Sequence, residues 1–124
     1  AALSPTSFLA WSGGVYPDRV ALVHGALRRT WGETYRRCRQ LADALTRRGI
    51  GKSDVVAIMA PNIPATYEMH FAPAMAGAVL NALNVRLDAD TLAFMLDFGG
   101  DDTGLLMKAL RRGGGYYYQS NNDH

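Results

Sequence analysis

The chain has 124 residues, which suffices for one compact domain and is too short for two ordinary ones. Its residues are 48% hydrophobic and 19% charged, and its net charge is +2, a balance typical of a soluble globular domain and not of a disordered or fibrous chain. The single cysteine, Cys38, excludes an internal disulfide framework and favours a reducing compartment. No apolar stretch reaches the roughly 18 residues of a membrane span and no secretory signal is apparent, so we expect a cytoplasmic location.

The first 31 residues predict a helix and a hairpin. Residues 4–6 can begin a short helix, which Gly13-Gly14 should end. The apolar run at 20–23 predicts a strand, and residues 28–31 predict a return strand beside it, with Gly25 in the turn.

The clearest local signal is a helix over residues 31–48. Thr30 and Glu33 match the capping box, in which each side chain accepts a hydrogen bond from the other's backbone N–H. Apolar residues then recur at steps of three and four, which predicts one buried stripe formed by Trp31, Tyr35, Cys38, Leu41, Ala42 and Leu45. Gly49 should end the helix as a left-handed cap.

Two apolar runs flank the next helix. The run that follows Asp54 has no polar alternation, which is typical of a strand buried on both faces of a parallel sheet. A helix should begin at Pro61–Pro64 and continue to Gly77, with a kink at Pro73. Residues 78–83 predict a second strand, so the segment is a right-handed βαβ unit.

The remaining segments complete the predicted architecture. Asp88 is a suitable N-cap for a helix over 89–98, and residues 105–107 predict a further strand. The order of elements predicts an α/β fold, with a mostly parallel sheet and flanking helices over residues 1–110. Residues 111–124, which are rich in glycine, tyrosine and polar residues, predict a disordered tail.

No residue combination predicts a catalytic, cofactor-binding or metal site. Gly51-Lys52-Ser53 follows a helix and precedes a strand, the reverse of a phosphate-binding loop, so we interpret it as a turn. The histidines, at positions 24, 70 and 124, lack metal-ligand spacing, and we expect His70 to be partly buried and hydrogen-bonded. Cys38 lies on the apolar stripe and should behave as a small hydrophobe.

Charge is unevenly distributed along the chain. Seven arginines lie between positions 28 and 48, whereas five acidic residues lie between positions 86 and 102. Solvated faces with local ion pairs are the simplest interpretation. Docking on another domain and weak binding of nucleic acid by the Arg28–Arg48 face are the alternatives.

Four patterns follow one another between residues 3 and 96: TW-x-E before the helix, GI-x-K-x-DVV, APN-x-PA and GAVLNALN-x-RL. In this order they resemble the N-terminal part of the AMP-forming acyl-CoA synthetases, a family of acyl-activating, adenylate-forming ligases. The resemblance is greatest to the medium-chain or plant acyl-activating type. It implies an incomplete N-terminal subdomain of such a ligase.

The resemblance also implies a reaction for the full-length enzyme. A carboxylate, ATP and CoA give acyl-CoA, AMP and pyrophosphate through an acyl-adenylate, with Mg²⁺ neutralising charge. The family's phosphate loop, its acidic ribose ligand and its C-terminal lysine have no counterpart in this chain. We therefore expect the chain alone to bind none of ATP, Mg or CoA and to be inactive. Pro61-Asn62, Gly77, Asn84 and Arg86 match the family pattern, and we assign them to turns and domain packing.

We expect a departure from the family after Phe98, although residues 103–107 could still form the family's next strand, and the residues from Arg111 onward resemble no part of the family. A truncation, a frameshift and a genuine short protein stay open as explanations. The expected partner is the remainder of the ligase, or a second copy through exposed apolar surface. The alternative function is a non-enzymatic α/β interaction module and, after it, a weak nucleic-acid binder. The peroxisome is open as the location of a full-length relative.

Overall fold

The structure, a computed structural model, describes residues 4–84, 86–98, 106–108 and 116–119. Along these residues helices and strands follow one another, as predicted for an α/β fold. In chain order they are α1 (Pro5–Val15), β1 (Val20–His24), β2 (Leu27–Thr30), α2 (Trp31–Arg47), β3 (Val55–Met59), α3 (Pro64–Met69), α4 (Ala72–Met75), β4 (Val79–Leu83), α5 (Ala89–Phe98), β5 (Leu106–Lys108) and β6 (Tyr116–Gln119). None of the described helices is long and apolar enough to cross a bilayer.

The strands form two sheets. β1 and β2 make an antiparallel hairpin, and Gly25 in its turn has a φ of 59°, which confirms the predicted pairing. The second sheet has the order β4-β3-β6-β5. Its β3 and β4 are parallel, from Val55 opposite Val79 to Met59 opposite Leu83, and α3 and α4 connect them. The predicted strand–helix–strand unit is confirmed.

The C-terminal strands make the larger sheet mixed. β5 lies where a further strand is predicted, and β6 falls within the segment predicted to be a tail. β6 runs antiparallel to β3, from Val56 opposite Gln119 to Met59 opposite Tyr116, and β5 runs antiparallel to β6. Consecutive tyrosines favour extended backbone, and the free edge of β3 offers N–H and C=O groups for pairing. The other residues of 111–124 lie outside the described part, and their disorder stays a prediction.

β3 is the centre of the core because its two faces pack against different helices. Val56 and Ile58 join a buried cluster that also contains Leu45 of α2 and Met69 of α3. On the opposite face Ala57 packs in a second cluster. The other members of that cluster are Leu83, Met59, Leu92 and Met95. The interpretation of an unalternating apolar run as a strand buried on both faces is confirmed.

α2 follows its sequence signals at both ends. The Thr30 hydroxyl accepts from the Glu33 N–H at 3.1 Å, and the Glu33 carboxylate accepts from the Thr30 N–H at 3.0 Å. At the other end Gly49 has a φ of 84°, and the Ile50 N–H donates to the Leu45 carbonyl. The capping box and the left-handed cap are therefore confirmed.

α1 differs from its prediction. The helix continues through Gly13-Gly14 and ends at Val15, so the expectation that these glycines end it is wrong. A Cβ at Gly13 would lie 2.9 Å from the Cβ of Tyr35 on α2, whereas a Cβ at Gly14 would meet nothing within 4 Å. At Gly13 the two helices thus lie too close together for a side chain, and packing compensates for its low helix propensity.

The helix predicted between Pro61 and Gly77 is two short helices. α3 ends at Met69, α4 begins at Ala72, and the chain bends at His70 and Phe71. Pro73 lies in the first turn of α4, where its missing N–H costs no hydrogen bond. The chain therefore starts a new helix instead of kinking a continuous one.

Candidate functional site

An apolar groove of about 480 Å³ lies between the β1–β2 hairpin and α3. Leu22 and Val23 line it from the hairpin, and Ile63, Tyr67 and Phe71 line it from the α3 side. The rings of Tyr67 and Phe71 meet edge to face, with centroids 5.3 Å apart. Burial raises the pKa of the Tyr67 phenol above its ordinary value, which favours the neutral hydroxyl still further.

Two histidines line this groove but do not form a metal site. His24 ends β1 and is exposed. His70 is also exposed, so its predicted partial burial is wrong, but its predicted hydrogen bond exists: its Nδ1 donates to the Thr66 carbonyl at 2.7 Å. Within the described residues no three His, Cys, Asp or Glu side chains come together as metal ligands would.

A buried carboxylate links three elements beside the groove. Glu68 of α3 is 7% exposed, and its Oε1 accepts from Arg29 of β2 at 2.7 Å and from Arg37 of α2 at 2.6 Å. The hydrogen bond to Glu68 raises the pKa of Arg37. The paired residues lie 39 and 31 positions apart in the sequence, so the expected local ion pairs do not describe this contact. We call Arg29, Arg37 and Glu68 the ion clamp.

Sequence reasoning missed Glu68. The signal that could have found it is a single acid in the otherwise uncharged helix Pro64–Met69, on a segment that has to pack against the core. A carboxylate in such a place needs a cationic partner, and the arginine-rich segment supplies one.

A second, polar groove of about 380 Å³ lies between β2 and the first half of α2. Both arginines of the ion clamp line it, together with Leu27, Arg28, Glu33, Arg36 and Gln40. The carboxylate of Glu33 is already bound to the backbone N–H of Thr30. The groove therefore gathers four of the seven arginines that the sequence places between residues 28 and 48.

The Gly51-Lys52-Ser53 segment is a turn, as interpreted from the sequence. The Gly51 N–H donates to the Asp54 carboxylate at 2.7 Å, and Ser53 has a φ of 72°. The Asp54 carboxylate thus already accepts the hydrogen bond from the backbone N–H that a phosphate loop would donate to its ligand. This geometry does not fit a nucleotide phosphate.

Cys38 is fully buried on α2, as its place on the apolar stripe predicts. Burial raises the pKa of its thiol to about 12, and its Sγ lies 3.9 Å from the Glu68 carbonyl oxygen. The thiol is therefore neutral and shielded, which is the state of a structural cysteine and not of a nucleophile.

Residues that match the family pattern lie in turns. Gly77 has a φ of 84° between α4 and β4, and the Asn84 side chain accepts from the Arg86 N–H at 2.9 Å. Pro61 and Asn62 are exposed between β3 and α3. Their assignment to turns agrees with this geometry, whereas a role in domain packing stays a prediction.

One of the five acidic residues between positions 86 and 102 caps a helix. The Asp88 carboxylate accepts from the Thr91 N–H at 2.7 Å, and this hydrogen bonding lowers its pKa. Asp101 and Asp102 lie outside the described residues.

Comparison with known proteins shows relatives over most of the chain. The family model described as "AMP-binding enzyme" matches residues 9–111, so the match continues beyond Phe98, where a departure from the family is expected from the sequence. An acetate–CoA ligase of Humulus lupulus is 52% identical over 95 residues, which are 77% of this chain and 17% of the relative. A peroxisomal acetate/butyrate–CoA ligase of Arabidopsis thaliana is 54% identical over the same shares of both chains. The chain thus spans about a sixth of the length of these curated relatives.

A solved structure shows the same fold. The N-terminal subdomain of NpsA from Klebsiella oxytoca superposes with a TM-score of 0.76 and is 26% identical. The match covers 83% of this chain and 29% of that one. The mixed α/β architecture described above is therefore that of an N-terminal subdomain found in adenylation proteins.

Proposed function

The chain belongs to the AMP-binding enzyme family, and from that premise we propose that it is the N-terminal scaffold of an ATP-dependent acyl-CoA ligase. In the complete enzyme a carboxylate, ATP and CoA would give acyl-CoA, AMP and pyrophosphate. The observation that carries the proposal is the identity of about half the residues to two CoA ligases over 95 positions.

We propose further that the chain has no ligase activity alone. Its described residues do not fit a magnesium–nucleotide site, since the one candidate amide is bound to Asp54 and no cluster of acidic ligands is present among them. Those residues instead build a core, the ion clamp and two surface grooves. ATP, Mg and CoA would be held by the remainder of the ligase, which is the proposed partner.

The proposed substrate is a short-chain aliphatic carboxylate, as used in fatty acid metabolism. The support is that the two ligases described above are named for acetate and butyrate. We propose a cytoplasmic location for this chain, with the peroxisome as the alternative because the Arabidopsis relative is named as peroxisomal. Residues 1–110 are proposed as the α/β part and 111–124 as a disordered tail around β6.

A chimera tests the scaffold proposal. Residues 9–98 of this chain replace the matching segment of the Humulus lupulus acetate–CoA ligase, and acetyl-CoA formation is measured. We expect the chimera to form acetyl-CoA, and the isolated chain to show no acetate- and CoA-dependent ATP–pyrophosphate exchange. A chimera that folds by circular dichroism but is inactive would contradict the scaffold role, and exchange by the isolated chain would contradict the incompleteness.

A second candidate is a non-enzymatic interaction module. The observation that favours it is the exposed apolar face of α1, where Phe8, Trp11 and Val15 are each at least half exposed. Such a patch is typical of a surface that contacts another protein or a second copy. Analytical ultracentrifugation tests it: association that is lost in the Trp11→Ser variant supports the module, whereas a monomer at all concentrations removes it.

A further inference from the structure

We propose that the arginine-lined groove between β2 and α2 is a binding site for a small phosphorylated anion. This proposal rests on the groove and not on the ligase assignment, so either can fail without the other.

The charge of the groove is the first reason. Four arginine side chains line it, and the carboxylates of Glu33 and Glu68 oppose them, which leaves two positive charges. Both carboxylates are already held, Glu33 by the backbone of Thr30 and Glu68 by the clamp. Glu33 lines the groove, but its carboxylate and that of Glu68 are fixed by these bonds, so a net positive charge of two is available to a ligand.

The fixed position of two guanidinium groups is the second reason. Arg29 is 19% exposed and Arg37 is 47% exposed, and both are held by Glu68 at hydrogen-bonding distance. An arginine that is already ordered loses less side-chain entropy when it binds a ligand. Glu68 takes the Nε and Nη2 groups of Arg37 and the Nη1 group of Arg29, and the other N–H groups of both guanidiniums, which match phosphate oxygens in geometry, make no hydrogen bond to Glu68.

The remaining two arginines supply adaptable donors. Arg28 donates to the backbone carbonyls of Gly25 and Leu27, and Arg36 is exposed on α2. Neither forms an ion pair within the described part of the chain. They are therefore the residues whose charge a bound anion would neutralise.

The composition of the groove favours a small anion over nucleic acid. Its lining contains no aromatic side chain, so it offers no surface on which bases could stack. Its volume of about 380 Å³ is that of a compact ligand site and not of a long channel. A diphosphate or a phosphorylated metabolite matches both the charge and the size.

The test is an NMR titration of the full chain with pyrophosphate. We expect saturable shifts of backbone amides confined to residues 28–40, with affinity that weakens as salt increases. The double variant Arg28→Gln/Arg36→Gln should weaken binding on the order of tenfold or more, since hydrogen bonds between charged groups are lost. The matched control Arg47→Gln/Arg48→Gln also removes two positive charges, here from the C-terminal end of α2 outside the groove, and it should change the affinity by less than about twofold.

Three outcomes would overturn the assignment. Equal weakening in both double variants would mean that net charge alone attracts the anion. Shifts that spread over the whole chain, or that do not saturate, would mean that no site exists. An affinity for oligothymidylate that exceeds the pyrophosphate affinity and grows with strand length would mean that the face binds nucleic acid instead.

Discussion

Besides its place in the core, α2 makes two contacts of opposite physical kind. Toward β2 and α3, the ion clamp joins the helices through a carboxylate that is 7% exposed. Toward α1, the contact depends on the missing side chain of Gly13 beside Tyr35. The first contact is lost when a group is removed, whereas the second is lost when a group is added. In α2, charge pairing is therefore disrupted by removing a side-chain group, whereas close packing is disrupted by adding one.

The largest expected effect comes from breaking the clamp. Glu68→Gln leaves Arg29 and Arg37 without their shared carboxylate, and removal of one partner from a buried pair costs several kcal/mol. Because Arg37 is about half exposed and solvated, we expect a loss of about 2–3 kcal/mol in the free energy of unfolding. Urea denaturation followed by circular dichroism measures it.

The surface pair of Asp43 and Arg47 is the control for the clamp. Their side chains are 60% and 79% exposed at an N–O distance of 2.9 Å. Asp43→Asn should cost less than about 0.5 kcal/mol because exposed pairs on a helix contribute little. Equal losses in Glu68→Gln and Asp43→Asn would show that the clamp is not a buried interaction.

The next largest effect concerns the packing contact. Gly13→Ala places a methyl group 2.9 Å from the Tyr35 Cβ, so the two helices must separate. We expect a loss of about 1–3 kcal/mol, measured by thermal unfolding. Gly14→Ala is the matched substitution one residue later, where nothing lies within 4 Å, and it should stabilise the chain by about 0.5–1 kcal/mol. The same sign for both variants would mean that helix propensity, and not packing, dominates.

A smaller gain is expected at Thr34 on α2. Its side chain is 1% exposed, and among the described residues its Oγ1 is buried without a hydrogen-bond partner. Thr34→Val keeps the shape and removes the unpaired hydroxyl, so we expect a stabilisation of up to about 1 kcal/mol. Thr34→Ser, which keeps the hydroxyl and removes the methyl, should instead destabilise. Destabilisation by Thr34→Val in urea titrations would reveal a partner for that hydroxyl.

The smallest effect at neutral pH concerns Cys38, next to the clamp. Burial raises the pKa of its thiol from 9.0 to about 12, so the unfolded chain releases this proton first. The contribution of this thiol to the free energy of unfolding should therefore be constant below pH 9.0 and fall between pH 9.0 and about 12, by up to about 1.4 kcal/mol per pH unit. The Tyr67 phenol should also lower the free energy of unfolding at high pH, because burial raises its pKa as well. The measurement is urea unfolding of wild type, Cys38→Ala and Tyr67→Phe across this range, and an unchanged slope in Cys38→Ala would exclude the thiol as its source.

Local rules predicted the elements whose signals are short in sequence. The capping box at Thr30 and Glu33, the left-handed Gly49 and the unalternating β3 each depend on fewer than ten neighbouring residues. The order of the apolar runs and the helical periodicity between them also predicted the βαβ unit. These features follow from the backbone geometry that each residue type favours.

Tertiary contacts decided what the sequence did not predict. Gly13-Gly14 would end an isolated helix, but the approach of α2 keeps α1 helical to Val15. Glu68 has no neighbour in sequence that explains its burial, since its partners lie 31 and 39 residues away. The arginine groove likewise exists only because the hairpin lies beside α2.

The β1–β2 hairpin forms a sheet separate from the larger one, so it is held less firmly than the strands of the larger sheet. Two strands alone are marginally stable in water, so β1 and β2 depend on their anchors to the rest of the chain. Arg29 supplies such an anchor through Glu68. The hairpin can therefore detach as a unit while β3 and its neighbours stay folded, and loss of the Glu68 carboxylate favours this detachment because it removes the Arg29 anchor.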